Sequence, residues 1–142
     1  MTGLLLYGEC NYYMCGKIDI SALDIPPEKH EFATAKYFAE RGKDIKFLKP
    51  SRIPNTHTPD IIMDGVEWEM KCPIGSGKRT IEENFRKAVQ QSKYIIFDLR
   101  QIKLPEKQCI TQLEREFDAR RYLRKLLVIG KNGKLTKFSH DN

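Results

Sequence analysis

Hydrophobic and polar positions alternate along the chain in segments that predict helices and strands in turn. Residues 28–41 carry Phe and Ala at helical spacing between Pro26-Pro27 and Gly42, which indicates a first helix. The remaining predicted elements are helices at 81–94 and 105–121 and short strands at 45–48, 60–63, 66–72, 95–99, 122–129 and 135–138. Strands that alternate with helices predict an α/β fold with a mixed sheet flanked by helices.

Asp64-Gly65 lies between two apolar runs and predicts a tight hairpin, because both central positions of a type I′ turn need positive φ. The register about this turn pairs Met63 with Val66, Ile62 with Glu67, Ile61 with Trp68, and Asp60 with Glu69. Two carboxylates that face each other across a ladder are destabilising unless a positive charge lies between them. A divalent metal ion bound by Asp60 and Glu69 is the natural candidate.

The strand after the turn adds a cation to this pair of acids. Period-two alternation sends Glu67, Glu69 and Lys71 to one face, so Lys71 projects beside Glu69. Carboxylate oxygens suit Mg²⁺ or Mn²⁺, and a nearby ammonium can orient a water or stabilise charge on a phosphate. The pattern therefore indicates metal-dependent phosphodiester hydrolysis. The alternative is a solvated hairpin face on which these side chains only form salt bridges.

Size and charge favour one basic domain with a polyanionic partner. The 142 residues are 40% hydrophobic, and 25 Lys and Arg against 19 Asp and Glu leave a net charge of +6, which favours nucleic acid as the partner. We predict a single domain over 1–142, with a lead-in segment at 1–25 and a core at 26–140. The first apolar run, residues 4–7, is too short for a signal peptide or a membrane span, so the expected location is cytoplasmic, with no membrane partner and the four cysteines reduced.

Basic residues cluster between the predicted hairpin and the predicted strand at 95–99. Lys78 and Arg79 lie in a glycine-containing loop that could approach a nucleic-acid backbone, or could be an ordinary solvated loop. Thr80 and Glu83 fit a capping box at the start of the second helix. The predicted nucleic-acid contacts are Lys78, Arg79 and Thr80, together with Arg86, Lys87 and Lys93 on the outer face of the helix.

The order of these motifs resembles the PD-(D/E)XK nuclease superfamily, whose signature here is Pro59-Asp60 followed by Glu69-Met70-Lys71. More narrowly, the chain looks like the tRNA-nuclease toxin domain at the C-terminus of contact-dependent growth inhibition proteins, and like related domains of Gram-positive mobile elements. The likeness runs from about residue 18 to 138 and is carried by segments 31–45, 58–60, 64–65, 68–71, 77–81, 91–92 and 95–98. The family often has Asp where this chain has Glu69.

The resemblance implies a restriction-endonuclease-like three-layer fold and a set of site residues. Asp60 and Glu69 bind the metal, Lys71 assists catalysis, and Glu31 is the acid supplied by the first helix. Glu28, three residues earlier, is the alternative to Glu31, because it lies close to the same helical face. A glutamine near the end of the second predicted helix supports the site. The likeness around 91–92 favours Gln91, and a Gln-x-x-x-Tyr pattern that ends at Tyr94 leaves Gln90 as the alternative.

The resemblance also implies the reaction and the partners. We expect a metal-dependent endoribonuclease that cleaves tRNA, with Mg²⁺ or Mn²⁺ as the cofactor and a cognate immunity protein as a second partner. A DNA endonuclease of the same fold is one alternative, because the same core serves both polymers. A non-catalytic nucleic-acid-binding or interaction module from a mobile element is another. The sequence predicts neither the nucleotide cleaved nor the oligomeric state.

Overall fold

The computed structural model describes the backbone of residues 4–6 and the residues 15–141. The chain divides into two compact units, of which the first ends at Trp68 and the second begins at Glu69. In chain order the elements are β1 (Leu4–Leu6), β2 (Lys17–Asp19), α1 (Lys29–Ala39), β3 (Ile45–Phe47), β4 (Ile61–Met63), β5 (Val66–Lys71), α2 (Thr80–Ala88), β6 (Tyr94–Asp98), α3 (Glu106–Asp118), β7 (Lys125–Ile129) and β8 (Leu135–Ser139). The predicted mixed α/β architecture is confirmed, and the single-domain boundaries stay a prediction.

The first unit holds a mixed arrangement of strands in the order β1-β2-β3-β4-β5, with α1 between β2 and β3. Strand β2 runs parallel to β3, and the other neighbouring strands of this unit are antiparallel. Helix α1 buries Ala35, Phe38 and Ala39 and packs against β2 and β3. As predicted, Gly42 follows the helix: its φ is 88° and its N–H donates to the carbonyl of Ala39.

The hairpin that joins β4 to β5 forms as predicted. Asp64 and Gly65 have φ values of 54° and 77°, the conformation that a type I′ turn requires. The register pairs Met63 with Val66, Ile62 with Glu67 and Ile61 with Trp68 as predicted, but the ladder ends there and does not include the predicted pair of Asp60 with Glu69. The buried Trp68 indole donates a hydrogen bond from Nε1 to the Met63 carbonyl at 3.0 Å, which braces the hairpin.

Replacing Gly65 by Ala is expected to lower the free energy of unfolding by about 1 kcal/mol, because an L side chain is strained at positive φ. A Cβ at this position meets no atom within 4 Å, so the cost is conformational and not steric. Urea denaturation measures the change. Ser76→Ala, in an exposed loop, is the control and should shift stability by less than about 0.5 kcal/mol. Equal midpoints for Gly65→Ala and the wild type would contradict the assigned turn.

The second unit holds the rest of β5 and the strands β6, β7 and β8 in that order. Strands β5, β6 and β7 are parallel, and β8 is antiparallel to β7. Helices α2 and α3 cover β6 and β7 with a buried apolar core in which the rings of Phe85 and Phe97 stack at 5.8 Å. The β7–β8 hairpin was predicted from Asn132-Gly133, and Gly133 has a φ of 86° there.

Helix α2 differs from its prediction at both ends. It stops at Ala88 and not near 94, because the Ala88 carbonyl accepts the N–H groups of Gln91 and Ser92 in a turn. The capping box of Thr80 and Glu83 was wrong, since Arg79 is the N-cap and makes no side-chain capping bond. Thr80 is the first helical residue. A capping box forms at α1 instead, between Glu28 and Glu31.

The cysteines only partly match the expectation of reduced thiols. Cys72 and Cys109 form no disulfide bond, and burial raises the pKa of the Cys109 thiol. Cys15 is disulfide-bonded, so the expectation was wrong there. Cys10 lies outside the described residues. Within the described part of the chain, no helix has the length and apolar character to cross a membrane.

Candidate active site

Strand β5 carries an acid and a cation in direct contact. Glu69 is 5% exposed, and its Oε2 lies 3.3 Å from Nζ of Lys71. The two residues are in register with Ile95 and Phe97 of β6, and partners in a parallel ladder share a face. Glu69 and Lys71 therefore project on the face that α2 and α3 cover. A buried ion pair adds little net stability over apolar packing, so this pair is a candidate for chemistry.

In the first unit, Asp60 is held at the start of β4. Its carbonyl accepts the N–H of Leu48 at 2.9 Å and its own N–H donates to the carbonyl of Trp68 at 3.0 Å. Both bonds fix the backbone at the point where the ladder with β5 ends. Asp60 lines a cavity of about 420 Å³, hereafter the first-unit cavity, which Glu31 of α1 also lines. The structure therefore brings Asp60 and Glu31 to one cavity.

The two alternative acids of α1 are tied to each other. Glu28 donates its N–H to Oε1 of Glu31 at 2.9 Å, and the Glu28 side chain accepts the Glu31 N–H in return. Both residues line the first-unit cavity. Glu31 is half-buried, whereas Glu28 is exposed and its Oε2 lies 3.4 Å from Nδ1 of His30. Glu31 is therefore the more enclosed acid.

The two alternative glutamines lie in the turn after α2. Gln90 is exposed and Gln91 is half-buried. The Gln91 N–H donates to the carbonyl of Ala88 at 2.9 Å, so the backbone at this position is held by the end of the helix. This turn, and not a helical face, is what positions the glutamine.

The predicted nucleic-acid contacts lie on the surface of the second unit. Lys78, Arg79, Arg86, Lys87 and Lys93 are exposed and Thr80 is half-buried. Arg79 and Arg86 each lie 3.4 Å from Oε1 of Glu82. Hydrogen bonding and charge from Arg79 lower the pKa of Glu82, and the same contact raises the pKa of Arg79. Exposed pairs of this kind are weak, so a phosphate group can compete with Glu82 for both arginines.

Three charged residues of the first-unit cavity were missed in the sequence. Asp24 precedes α1, and Lys49 and Arg52 follow β3 in the proline-rich loop; all three line the cavity. The sequence signal for these contacts was a pair of cations shortly after a predicted strand. The prolines around the two cations predicted a loop and not a cavity.

The carboxylates of this chain suit a hard cation. Glu31 and Asp60 offer only oxygen donors at the first-unit cavity, and Glu69 offers oxygen donors on β5, which is the chemistry that Mg²⁺ and Mn²⁺ prefer. Across the described residues, no cluster of three or more His, Cys, Asp or Glu side chains is arranged to hold a metal ion.

These features define a basic, mixed α/β domain with a buried Glu–Lys pair on a strand that follows a tight hairpin. The family model described as the contact-dependent growth inhibition CdiA C-terminal domain matches residues 56–135, more than half of the chain. The chain belongs to this family. Asp60, Glu69, Lys71 and Gln91 fall inside the matched segment, and Glu31 precedes it.

The fold is also similar to a solved structure. That structure is described as a CdiA-CT/CdiI toxin and immunity complex from Burkholderia pseudomallei, with a TM-score of 0.62 and 21% sequence identity. The similarity covers 86% of this chain and 98% of the other. No curated protein gives a significant match.

Proposed function

We propose that this domain is a toxin that hydrolyses phosphodiester bonds of tRNA, on a restriction-endonuclease-like three-layer fold of the PD-(D/E)XK type. Membership of the CdiA C-terminal domain family and the likeness to a chain of a toxin and immunity complex support a toxin. The observation that carries the nuclease assignment is the buried Glu69 in contact with Lys71 on β5. An acid that is 5% exposed and paired with an ammonium is suited to act on a charged substrate.

In this proposal Asp60 and Glu69 hold Mg²⁺ or Mn²⁺, which supplies charge stabilisation for the scissile phosphate when bound. Lys71 keeps its ammonium beside Glu69 and donates hydrogen bonds to the attacking water and to a phosphate oxygen. Glu31 adds a second acceptor at the cavity that Asp60 lines. Gln91 contributes an uncharged donor and acceptor that orients the water.

The exposed cations supply affinity without sequence preference. Lys78, Arg79, Arg86, Lys87 and Lys93 bind backbone phosphates in this proposal, with Thr80 donating its hydroxyl at the start of α2. Such contacts release counterions, so binding weakens steeply as salt rises. The net charge of +6 acts in the same direction by attracting a polyanion over long range.

We further propose a cognate immunity protein as the partner that blocks the domain, and the cytoplasm of a target cell as its place of action. The structural neighbour is described as a complex of a toxin with an immunity protein, which supports such a partner. A domain that destroys tRNA must be held inactive in the cell that makes it, and a tight protein inhibitor achieves this.

Incubating the purified chain with total tRNA, ribosomal RNA and plasmid DNA, with EDTA or with Mg²⁺ or Mn²⁺, tests the proposal. The expected result is discrete tRNA fragments only when metal is present, formed more slowly as salt rises from 50 to 200 mM by roughly tenfold or more. Fragments in EDTA would overturn the metal dependence. Cleavage of DNA alone would reassign the substrate, and unchanged nucleic acids throughout would overturn the nuclease assignment.

A further inference from the structure

The residues that line the first-unit cavity are of two kinds. They include apolar side chains and proline rings as well as charged side chains. The cavity volume of about 420 Å³ falls within the range of small-molecule sites. Leu23, Ile25 and Pro26 approach from the segment before α1, and Phe47 and Pro50 from the end of β3 and the loop after it. Ile25 is 77% exposed, so an apolar surface stands open to solvent at the cavity.

Two cations at this cavity converge on one oxygen. Nζ of Lys49 lies 3.2 Å and NH2 of Arg52 lies 3.1 Å from the same Oδ2 of Asp24. The carboxylate of Asp24 therefore occupies the position that an oxygen of a phosphate would take between a lysine and an arginine. All three side chains are at least half exposed, so this internal anion is weakly held and can be displaced.

The acidic side chains at this cavity accept hydrogen bonds and donate none when ionised. Glu28, Glu31 and Asp60 all line it, and a carboxylate has about four lone-pair sites, of which Oε1 of Glu31 uses one for the Glu28 N–H. Acceptors of this kind favour a base that carries an amino group. Guanine, adenine and cytosine have such a group, whereas uracil offers only its N3–H, and the carbonyl oxygens on both sides of it face the carboxylates as like dipoles.

We propose that the first-unit cavity binds one unstacked, amino-bearing nucleotide of the RNA substrate. Its base lies against Ile25, Pro26 and Phe47, and its phosphate displaces Asp24 between Lys49 and Arg52. Recognition of single-stranded RNA commonly uses bases that are splayed out of the stack and read along their edges. The inference rests on the proposed function, because it makes this cavity the place where the tRNA nuclease reads a nucleotide next to Asp60.

Binding measured without cleavage tests the inference. GMP, AMP, CMP, UMP and ribose 5-phosphate are titrated into the full chain in EDTA while backbone amide shifts are followed by NMR. The three amino-bearing nucleotides are expected to shift amides of residues 23–31 and 47–52, and UMP and ribose 5-phosphate to bind about tenfold more weakly. Ribose 5-phosphate carries the same phosphate, so equal binding would overturn the assignment of a base. Shifts confined to other residues would overturn the cavity.

Two substitutions should move affinity in opposite directions. Arg52→Ala removes a phosphate donor and is expected to weaken GMP binding by about tenfold, whereas Asp24→Asn removes the competing anion and should strengthen it by a similar factor. Lys107→Ala, an exposed lysine on α3, controls for net charge and should change nothing. Weaker binding by Asp24→Asn would overturn the displacement by phosphate.

The outcomes separate this inference from the proposed function. If the chain binds GMP at the cavity but cleaves no RNA, the nucleotide site stands and the nuclease assignment is overturned. If the chain cleaves tRNA with metal but binds ribose 5-phosphate with the same affinity as GMP, the nuclease assignment stands and the nucleotide site is overturned.

Discussion

Replacing Lys71 by Ala is expected to slow tRNA cleavage by a factor of about 10²–10³, the usual cost of removing one donor that stabilises charge in a transition state. Lys71 is the cation in contact with Glu69, at 3.3 Å, and its side chain is 21% exposed, so it is both held and reachable. Single-turnover cleavage at saturating tRNA measures the loss in the chemical step. Lys107→Ala, an exposed lysine far along the chain, is the matched control and should cleave at the wild-type rate.

The same substitution leaves a buried carboxylate without its cation, so stability must be measured alongside activity. Removing one partner of a buried pair costs up to about 3–5 kcal/mol, and we expect less here, about 2 kcal/mol, because Lys71 is partly exposed. Glu69→Gln combined with Lys71→Ala removes both charges and should recover much of this stability while staying inactive. A stable double variant that cleaves tRNA at the wild-type rate would exclude both residues from the chemistry.

Replacing Phe97 by Ala is expected to lower the free energy of unfolding by about 3–5 kcal/mol, because truncating a buried phenylalanine loses its burial and leaves a cavity. Phe97 is 0% exposed and stacks on Phe85, which is also 0% exposed, so the Phe85 ring cannot move into the space without leaving its own packing. Urea denaturation followed by circular dichroism measures the change. At 0.05–0.15 kcal/mol per residue, the typical total stability of 142 residues is about 7–21 kcal/mol, so the variant stays folded in water but unfolds at a clearly lower urea concentration.

Phe138 is the comparison for this prediction. It packs against the same core from β8 but is only partly buried, and its ring lies 6.4 Å from that of Phe117. Phe138→Ala should therefore cost clearly less than Phe97→Ala. Equal losses for the two variants would show that burial in β6 does not determine the stability of this unit.

Local patterns predicted the elements that local chemistry controls. Asp64-Gly65 predicted the hairpin and the register of the three pairs nearest the turn, because few residues other than Gly, Asn and Asp accept positive φ. Gly42 marked the end of α1 for the same reason. The end of α2 was missed, because residues 89–92 have helical periodicity and only the carbonyl of Ala88 shows that the chain turns there.

The candidate site was only partly accessible from the sequence. Glu69 and Lys71 are two residues apart on one strand, so alternation alone predicts their contact. The first-unit cavity depends on segments that are distant in sequence, since Asp24 meets Lys49 and Arg52 across α1 and β3. No periodicity links such positions. The prolines around Lys49 and Arg52 predict a loop, but they do not predict which residue the two cations contact.

Trp68 is the single tryptophan of the chain, and it is buried at the last residue of the first unit with its Nε1 bonded to Met63. Its emission therefore reports on one hairpin alone, without a second indole to obscure the signal. The stacked phenylalanines of the second unit contribute almost nothing at the wavelengths that excite it. Denaturation can be followed by tryptophan fluorescence and by circular dichroism, and the two curves compared. Coincident curves indicate that the two units of this domain lose their structure in a single cooperative step.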